Sequence, residues 1–158
     1  MGRRPLEWAI RPAGYFRQKA KRLTLFSRWY LRRFAGSPRR MFRVPWRALR
    51  QELLALHGIG PETADSMLCY AGGQPVFVVD AYTIRVFRRH RLIAADATYH
   101  QVQRLVMQHM RASAAPDGPA GRYNEFHALL VAVGKRYCHR RNPDCRRCPL
   151  GDLPHTSR

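Results

Sequence analysis

Apolar residues recur at three- and four-residue spacing along most of the chain, the period of an amphipathic helix. Phe16, Ala20, Leu23, Phe26 or Ser27, and Tyr30 share one stripe, which predicts a helix over 17–34 with arginine and lysine on its other faces. Gly36, Pro38 and Pro45 mark a loop over 35–45, and Leu49, Leu53 and Leu56 restore the helical period over 48–56. Gly58-Ile59-Gly60 interrupts it. Pro61 suits the first position of a further helix reaching Tyr70, since it has no N–H to lose there. Val76-Phe77-Val78-Val79 has strand propensity but no second strand to pair with, so a buried extended connector is expected. Asp80 ends that run and can cap a helix over 81–89. Two more helices are predicted over 99–110 (Val102, Leu105, Val106, His109) and 123–137 (Phe126, Leu129, Leu130, Val133), separated by a loop around Pro116, Gly118 and Pro119. The stretch 138–158 has no period and needs a metal or a partner to be ordered. The pattern as a whole predicts an all-α fold without internal repeats.

Composition sharpens this picture. The 158 residues fit one ordinary domain, and 46% apolar residues exclude a disordered basic tail. No run approaches the roughly 18 apolar residues of a membrane span, and the opening lacks the continuous apolar stretch of a signal peptide, so a soluble, intracellular protein without a membrane partner is expected. With 29 basic against 10 acidic residues the formal charge is +19. Such a charge calls for a polyanion, most simply nucleic acid, because neutralising phosphates releases condensed counterions. Only three of the basic residues are lysine, as a GC-rich genome favours, but that bias does not explain the scarcity of acids. Cys138, Cys145 and Cys148 cluster near the end, which argues for metal over disulfides, whereas Cys69 sits among Met67, Leu68 and Tyr70 as a small core residue.

Two features carry candidate chemistry. The segment from Leu53 to Ala64 joins two helices through Gly58 and Gly60, which permit a tight turn and close approach of a ligand to the backbone. The helix that follows offers first-turn N–H groups and the positive end of its dipole, a setting that suits phosphate. A purely structural hairpin is the bland alternative, and the chain's charge tips the balance toward phosphate. Asp80 has two compatible readings, a helix cap and a catalytic carboxylate.

Leu53-x-x-Leu56-x-Gly58-Ile59-Gly60-x-x-Thr63-Ala64, followed by Val78-Val79-Asp80, resembles the helix-hairpin-helix and Gly/Pro-rich-loop-Asp signature of the endonuclease III (HhH-GPD) superfamily of DNA glycosylases. Segments 11–20, 78–83 and 123–129 are similar to its endonuclease III-related branch, which includes 3-methyladenine DNA glycosylases. The resemblance covers roughly residues 8–150. It implies an all-α helix-hairpin-helix glycosylase fold, with a helical domain over 1–137 and a Cys-containing loop and tail over 138–158. It also implies base-excision repair by a monomer that grips damaged double-stranded DNA through Gly58, Ile59, Gly60, Pro61, Glu62 and Thr63. A damaged base, alkylated bases among the candidates, is flipped from the duplex. Asp80 takes the position of the carboxylate that stabilises the oxocarbenium-like state and orients water. Glu62 stands where bifunctional members carry a Schiff-base lysine, which implies a monofunctional enzyme without lyase activity. The carbonyls of Leu54, Leu56 and Ile59 map onto a monovalent-cation site.

Cys138-x6-Cys145-x2-Cys148 resembles the start of the family's four-cysteine [4Fe–4S] loop, with Pro154 at the fourth position. Three alternatives stand: His155 substitutes, an external ligand completes the cluster, or the cluster has been lost. Relatives carry several helices before the segment matching Arg11-Pro12, so a truncated front with an exposed apolar groove is expected. A non-catalytic helix-hairpin-helix DNA-binding protein is the alternative function, and an RNA-binding basic protein a third. Tyr82, Tyr123 and Trp8 are aromatic candidates for stacking on a base, and Arg85, Arg88, Arg89, Arg140, Arg141, Arg146 and Arg147 for contacting phosphate.

Overall fold

The protein is described by a computed structural model covering residues 3–110 and 118–156. Its described residues are helices and loops with no β-strand: α1 (Arg3–Ala9), a 3₁₀ turn (Arg11–Ala13), α2 (Phe16–Phe34), α3 (Pro38–Met41), α4 (Trp46–Leu54), α5 (Pro61–Ser66), a π-helical turn (Met67–Ala71), α6 (Ala81–Arg89), α7 (Tyr99–His109) and α8 (Gly118–Arg136). The chain divides into two compact units, residues 1–64 and 65–158.

In the first unit α2 keeps only part of its predicted stripe inside, since Leu23 is 43% exposed. Ala20 and Phe34 are buried, and Phe26, Trp29, Tyr30 and Phe34 form a chain of ring contacts 5.3 to 6.2 Å apart. The predicted loop over 35–45 contains a further short helix. Ser37 caps α3 by accepting from the Arg40 N–H, and Pro38 takes the first helical position, so the same Ser-Pro pair that reads as a breaker acts as a start signal. Leu49 and Leu53 of α4 are fully buried, as their spacing predicts.

In the second unit the helix begun by α5 widens into the π turn, where Gly72 N–H reaches back five residues to the Met67 carbonyl. Cys69 is buried there, and burial followed by the nearby Asp65 charge pushes its thiol up to about 11, as suits an inert core residue. α7 begins with a capping box between Thr98 and Gln101. Pro116 lies outside the described residues, but Gly118 and Pro119 open α8 where a loop was expected, because proline close to a helix start sacrifices no hydrogen bond. α8 packs closely on α6. A Cβ on Gly134 would lie 2.5 Å from the Tyr82 ring.

Val76 to Val79 form the expected extended connector, each at most 2% exposed. Buried backbone without a strand partner still needs hydrogen bonds. Gln103 Nε2 donates to the Phe77 carbonyl at 2.7 Å, and Val79 N–H donates to the Tyr99 hydroxyl at 3.4 Å. Both side chains are anchored on Asp65, which is fully buried. Its Oδ2 accepts from Tyr99 at 2.8 Å and from Gln103 at 2.7 Å. Replacing Gln103 by leucine removes the donor to both Phe77 and Asp65. Urea unfolding should show a loss of about 2–3 kcal/mol, the cost of stranding buried acceptors. A change below about 0.5 kcal/mol would show that the connector is held otherwise.

Candidate nucleic-acid interface and catalytic site

The hairpin lies in the first unit. α4 ends at Leu54, Leu56 N–H bonds to the Leu53 carbonyl, and Ile59 N–H bonds to the Leu56 carbonyl at 3.0 Å. Gly58 has φ +88°, a conformation that side chains disfavour, and the stem of Arg22 from α2 lies where its Cβ would be. Ile59 is buried and anchors the turn from beneath. Around the missing Cβ of Gly60 there is open space, so a ligand can approach this backbone closely. The first helical bond of α5 runs from Ala64 N–H to the Gly60 carbonyl at 2.9 Å, while Glu62 and Thr63 are exposed in the first turn. Residues 1–64 hold fifteen of the 29 basic and only three of the 10 acidic residues, so most of the net charge belongs to the unit bearing the hairpin.

Asp80 lies in the second unit and caps α6. Its Oδ1 accepts from Thr83 N–H at 2.7 Å and from the Thr83 hydroxyl at 2.9 Å. Oδ2 points elsewhere, 3.6 Å from His127 Nε2. Burial pushes the Asp80 carboxyl up, but the neighbouring His127 imidazole and the two bonds from Thr83 outweigh burial and hold it below its ordinary value of 3.8. The cap and the charge are thus one arrangement: Oδ1 is fixed by Thr83 and Oδ2 faces His127.

His127 was absent from the sequence-derived site, although it stands in the 123–129 segment that carries part of the family resemblance. It projects from α8, with Nδ1 2.7 Å from the Tyr70 hydroxyl and its ring edge-on to Phe77 at 6.2 Å. A hydroxyl that donates to Nδ1 leaves the ring proton on Nε2. That nitrogen is buried, has no hydrogen-bond partner in the structure and faces Asp80. A histidine on an otherwise apolar helical face carries no signal of this role until the fold brings Asp80 opposite it.

Other candidates divide. Tyr123 is 3% exposed and packs against Phe77, and Tyr82 lies between Gly134 and the Arg85 guanidinium, so both are structural. Trp8 is 77% exposed. Arg85 donates to the carbonyls of Gly134 and Cys138, closing the end of α8, and Arg89 donates to Cys138 Sγ and the His139 carbonyl. These two arginines are committed to the fold. Together with Arg88 and Arg140 they still line a cleft of about 550 Å³ with positive walls. Arg147 pairs with Asp144 at 3.8 Å on the surface. An apolar groove of about 270 Å³ opens among Phe87, Leu92, Leu105, Val106, Met110 and Phe126.

Cys138, Cys145 and Cys148 line one cavity, joined there by His90 and His155. Gly151 closes the loop beneath it, since a Cβ there would lie 2.4 Å from the Cys145 carbonyl oxygen. Leu150 N–H points at Cys148 Sγ at 3.4 Å. Among the described residues no three His, Cys, Asp or Glu side chains are grouped as a single metal ion requires. Three thiols around a common cavity, with N–H donors to two of the sulfurs, are soft ligands of the kind that iron–sulfur clusters use.

Residues 2–112 match the family model of the HhH-GPD superfamily base excision DNA repair protein, and the chain belongs to that family. Over 94% of its length it is 36% identical to a Methanocaldococcus jannaschii protein described as a DNA repair glycosylase, covering 64% of that protein. Its fold superposes on endonuclease III in a non-covalent complex with DNA, with a TM-score of 0.75 and 26% identity over 98% of this chain and 64% of that one. It also superposes on the 3-methyladenine DNA glycosylase of H. pylori bound to 1,N6-ethenoadenine, with a TM-score of 0.71 and 29% identity over 86% of this chain and 64% of that one. The chain therefore spans less than two thirds of the length of these relatives.

The Asp80 geometry has a pH signature. A carboxyl whose pKa is depressed by folding stabilises the fold above its unfolded value and loses that contribution as pH falls through its folded value. Asp80→Asn retains a capping side chain without the charge. The stability of wild type relative to Asp80→Asn, followed by urea unfolding, should therefore decline as pH is lowered from about 6 through the acid side of the ordinary carboxylate range. A difference that does not vary with pH would overturn the assignment of an ionised Asp80.

Proposed function

We propose that the protein is a monofunctional base-excision DNA glycosylase that hydrolyses the N-glycosidic bond of a damaged base flipped from duplex DNA, with alkylated bases among the candidate lesions. The observation that carries this reading is the Asp80 carboxyl, held below its ordinary value, with Oδ1 fixed by Thr83 and Oδ2 facing His127 Nε2 at 3.6 Å. As the bond from C1′ to the base breaks, its electron pair leaves with the base and positive charge builds on the sugar. Asp80 stabilises that charge electrostatically and orients the water whose oxygen then bonds to C1′, and the water's proton passes to Asp80 or the departing base. The hairpin supplies the grip. Amides around Gly58 and Gly60 and the first turn at Pro61, Glu62 and Thr63 meet backbone phosphate, and the carbonyls of Leu54, Leu56 and Ile59 hold a monovalent cation that bridges to it.

Glu62 cannot form a Schiff base, so the sugar–phosphate strand stays intact after base release. Cys138, Cys145 and Cys148 hold a [4Fe–4S] cluster, whose contribution when bound is to cross-link an aperiodic loop through its thiolates.

Base release from alkylated duplex DNA should fall by about 10²–10³-fold in Asp80→Asn, in line with removing one electrostatic stabiliser, while gel-shift affinity for the same duplex is kept. Unchanged turnover would remove Asp80 from the mechanism, and binding without release in wild type would support a non-catalytic DNA-binding role instead. Borohydride reduction on abasic-site DNA should trap no covalent adduct. An adduct that persists in Glu62→Ala would refute the monofunctional assignment.

A further inference from the structure

The cysteine pattern ends one protein ligand short, with Pro154 where a fourth thiolate would fall. His90 and His155 line the same cavity as the three thiols, their rings 5.7 Å apart. In each ring Nδ1 lies against a backbone carbonyl: His90 at 3.0 Å from the Pro154 oxygen, His155 at 2.8 Å from the Leu153 oxygen. A carbonyl only accepts, so Nδ1 bears the proton in both rings and each neutral imidazole keeps its lone pair on Nε2. Metal-ligating histidines use this tautomer and this supporting bond.

The sulfurs are prepared in a matching way. Arg89 Nη1 donates to Cys138 Sγ at 2.9 Å, placing a fixed positive charge beside a prospective thiolate, and Leu150 N–H supports Cys148. The donors do not converge on a single-ion site among the described residues, whereas in a cluster each iron takes its own protein ligand.

We propose that His155 Nε2 is the fourth protein ligand of a [4Fe–4S] cluster held by Cys138, Cys145 and Cys148. His90 is a positioning residue: its Nδ1–H fastens the Pro154 carbonyl, and the bonds from Thr156 N–H and hydroxyl to the Arg89 carbonyl fasten the other side of His155. The segment presenting His155 is thus tied on both flanks to the end of α6. This assignment rests on the reading that the cysteines bind a cluster. A neutral imidazole in place of a thiolate makes the cluster less negative, so its reduction potential rises.

The test uses the full chain, anaerobically reconstituted with iron and sulfide, as wild type, His155→Cys, His155→Ala and His90→Ala. Wild type should bind iron and sulfide in equal amounts, absorb near 400 nm, and show imidazole nitrogen coupling in the pulsed paramagnetic resonance of the reduced cluster. His155→Cys should keep the cluster, lose that coupling and shift the potential downward. His155→Ala should lose the coupling and hold one iron loosely, and His90→Ala should retain the coupling. A wild-type cluster without nitrogen coupling, or coupling that survives in His155→Cys, overturns the assignment. Coupling lost only in His90→Ala overturns it in favour of His90. Wild-type protein that binds no iron and sulfide sinks the cluster reading itself, a distinct outcome. His155→Cys guards against misfolding, because it restores a thiol ligand to the loop.

Discussion

A buried stretch of extended backbone with no neighbouring strand is the constraint on which the second unit is organised. Four consecutive apolar residues supply enough burial to hold the connector inside, since each large side chain removed from water contributes about 1.5–3 kcal/mol. That burial would be undone if their peptide groups went unsatisfied. Asp65 answers at second hand. It fixes Tyr99 and Gln103 one helical turn apart on α7, and these two reach the backbone of Val79 and Phe77. The position of Asp80, immediately after the connector, follows from that scaffold. One carboxylate is thereby placed by a second, the buried Asp65.

What could be read from the chain and what could not divides along physical lines. The stripe of α2, the burial of Leu49 and Leu53, the unpaired connector and the cap at Asp80 all depend on local periodicity or on one side chain meeting its own backbone. Such features survive without knowledge of tertiary contacts. α3 and the start of α8 were hidden because proline signals a break and a beginning with the same residue. The π turn at Met67–Ala71 has no distinguishing spacing of its own. Asp65 and His127 were missed for a stronger reason. Each acquires its role from a residue more than thirty positions away, and on its own helix an isolated polar group looks like solvent-facing surface. Arg85 and Arg89, candidates for contacting phosphate, are also engaged by carbonyls and a sulfur at the end of α8, contacts that no local spacing announces.

The charge has an uneven cost and use. Acidic residues are scarce, and two of them, the fully buried Asp65 and the cap Asp80, serve as specific devices rather than as counterions to arginine. In the first unit the excess of arginine is left largely to the surface of α2 and its neighbours, where self-repulsion is screened by salt and relieved by any polyanion. A chain of this kind trades isolation stability for attraction to phosphate, and the aromatic ladder along α2 helps hold its helix against that repulsion.

α6 is nine residues long, roughly 13 Å at the rise of an α-helix. At its first turn Thr83 fixes Asp80, and at its last Arg89 and His90 fasten the cysteine loop. Adding or deleting one residue between them would advance one end by about 1.5 Å and turn it by about 100° relative to the other. Either the carboxylate would leave His127 or the guanidinium would leave Cys138. The helix is therefore a ruler with both ends engaged, and its length sets the spacing between the carboxylate and the cysteine loop.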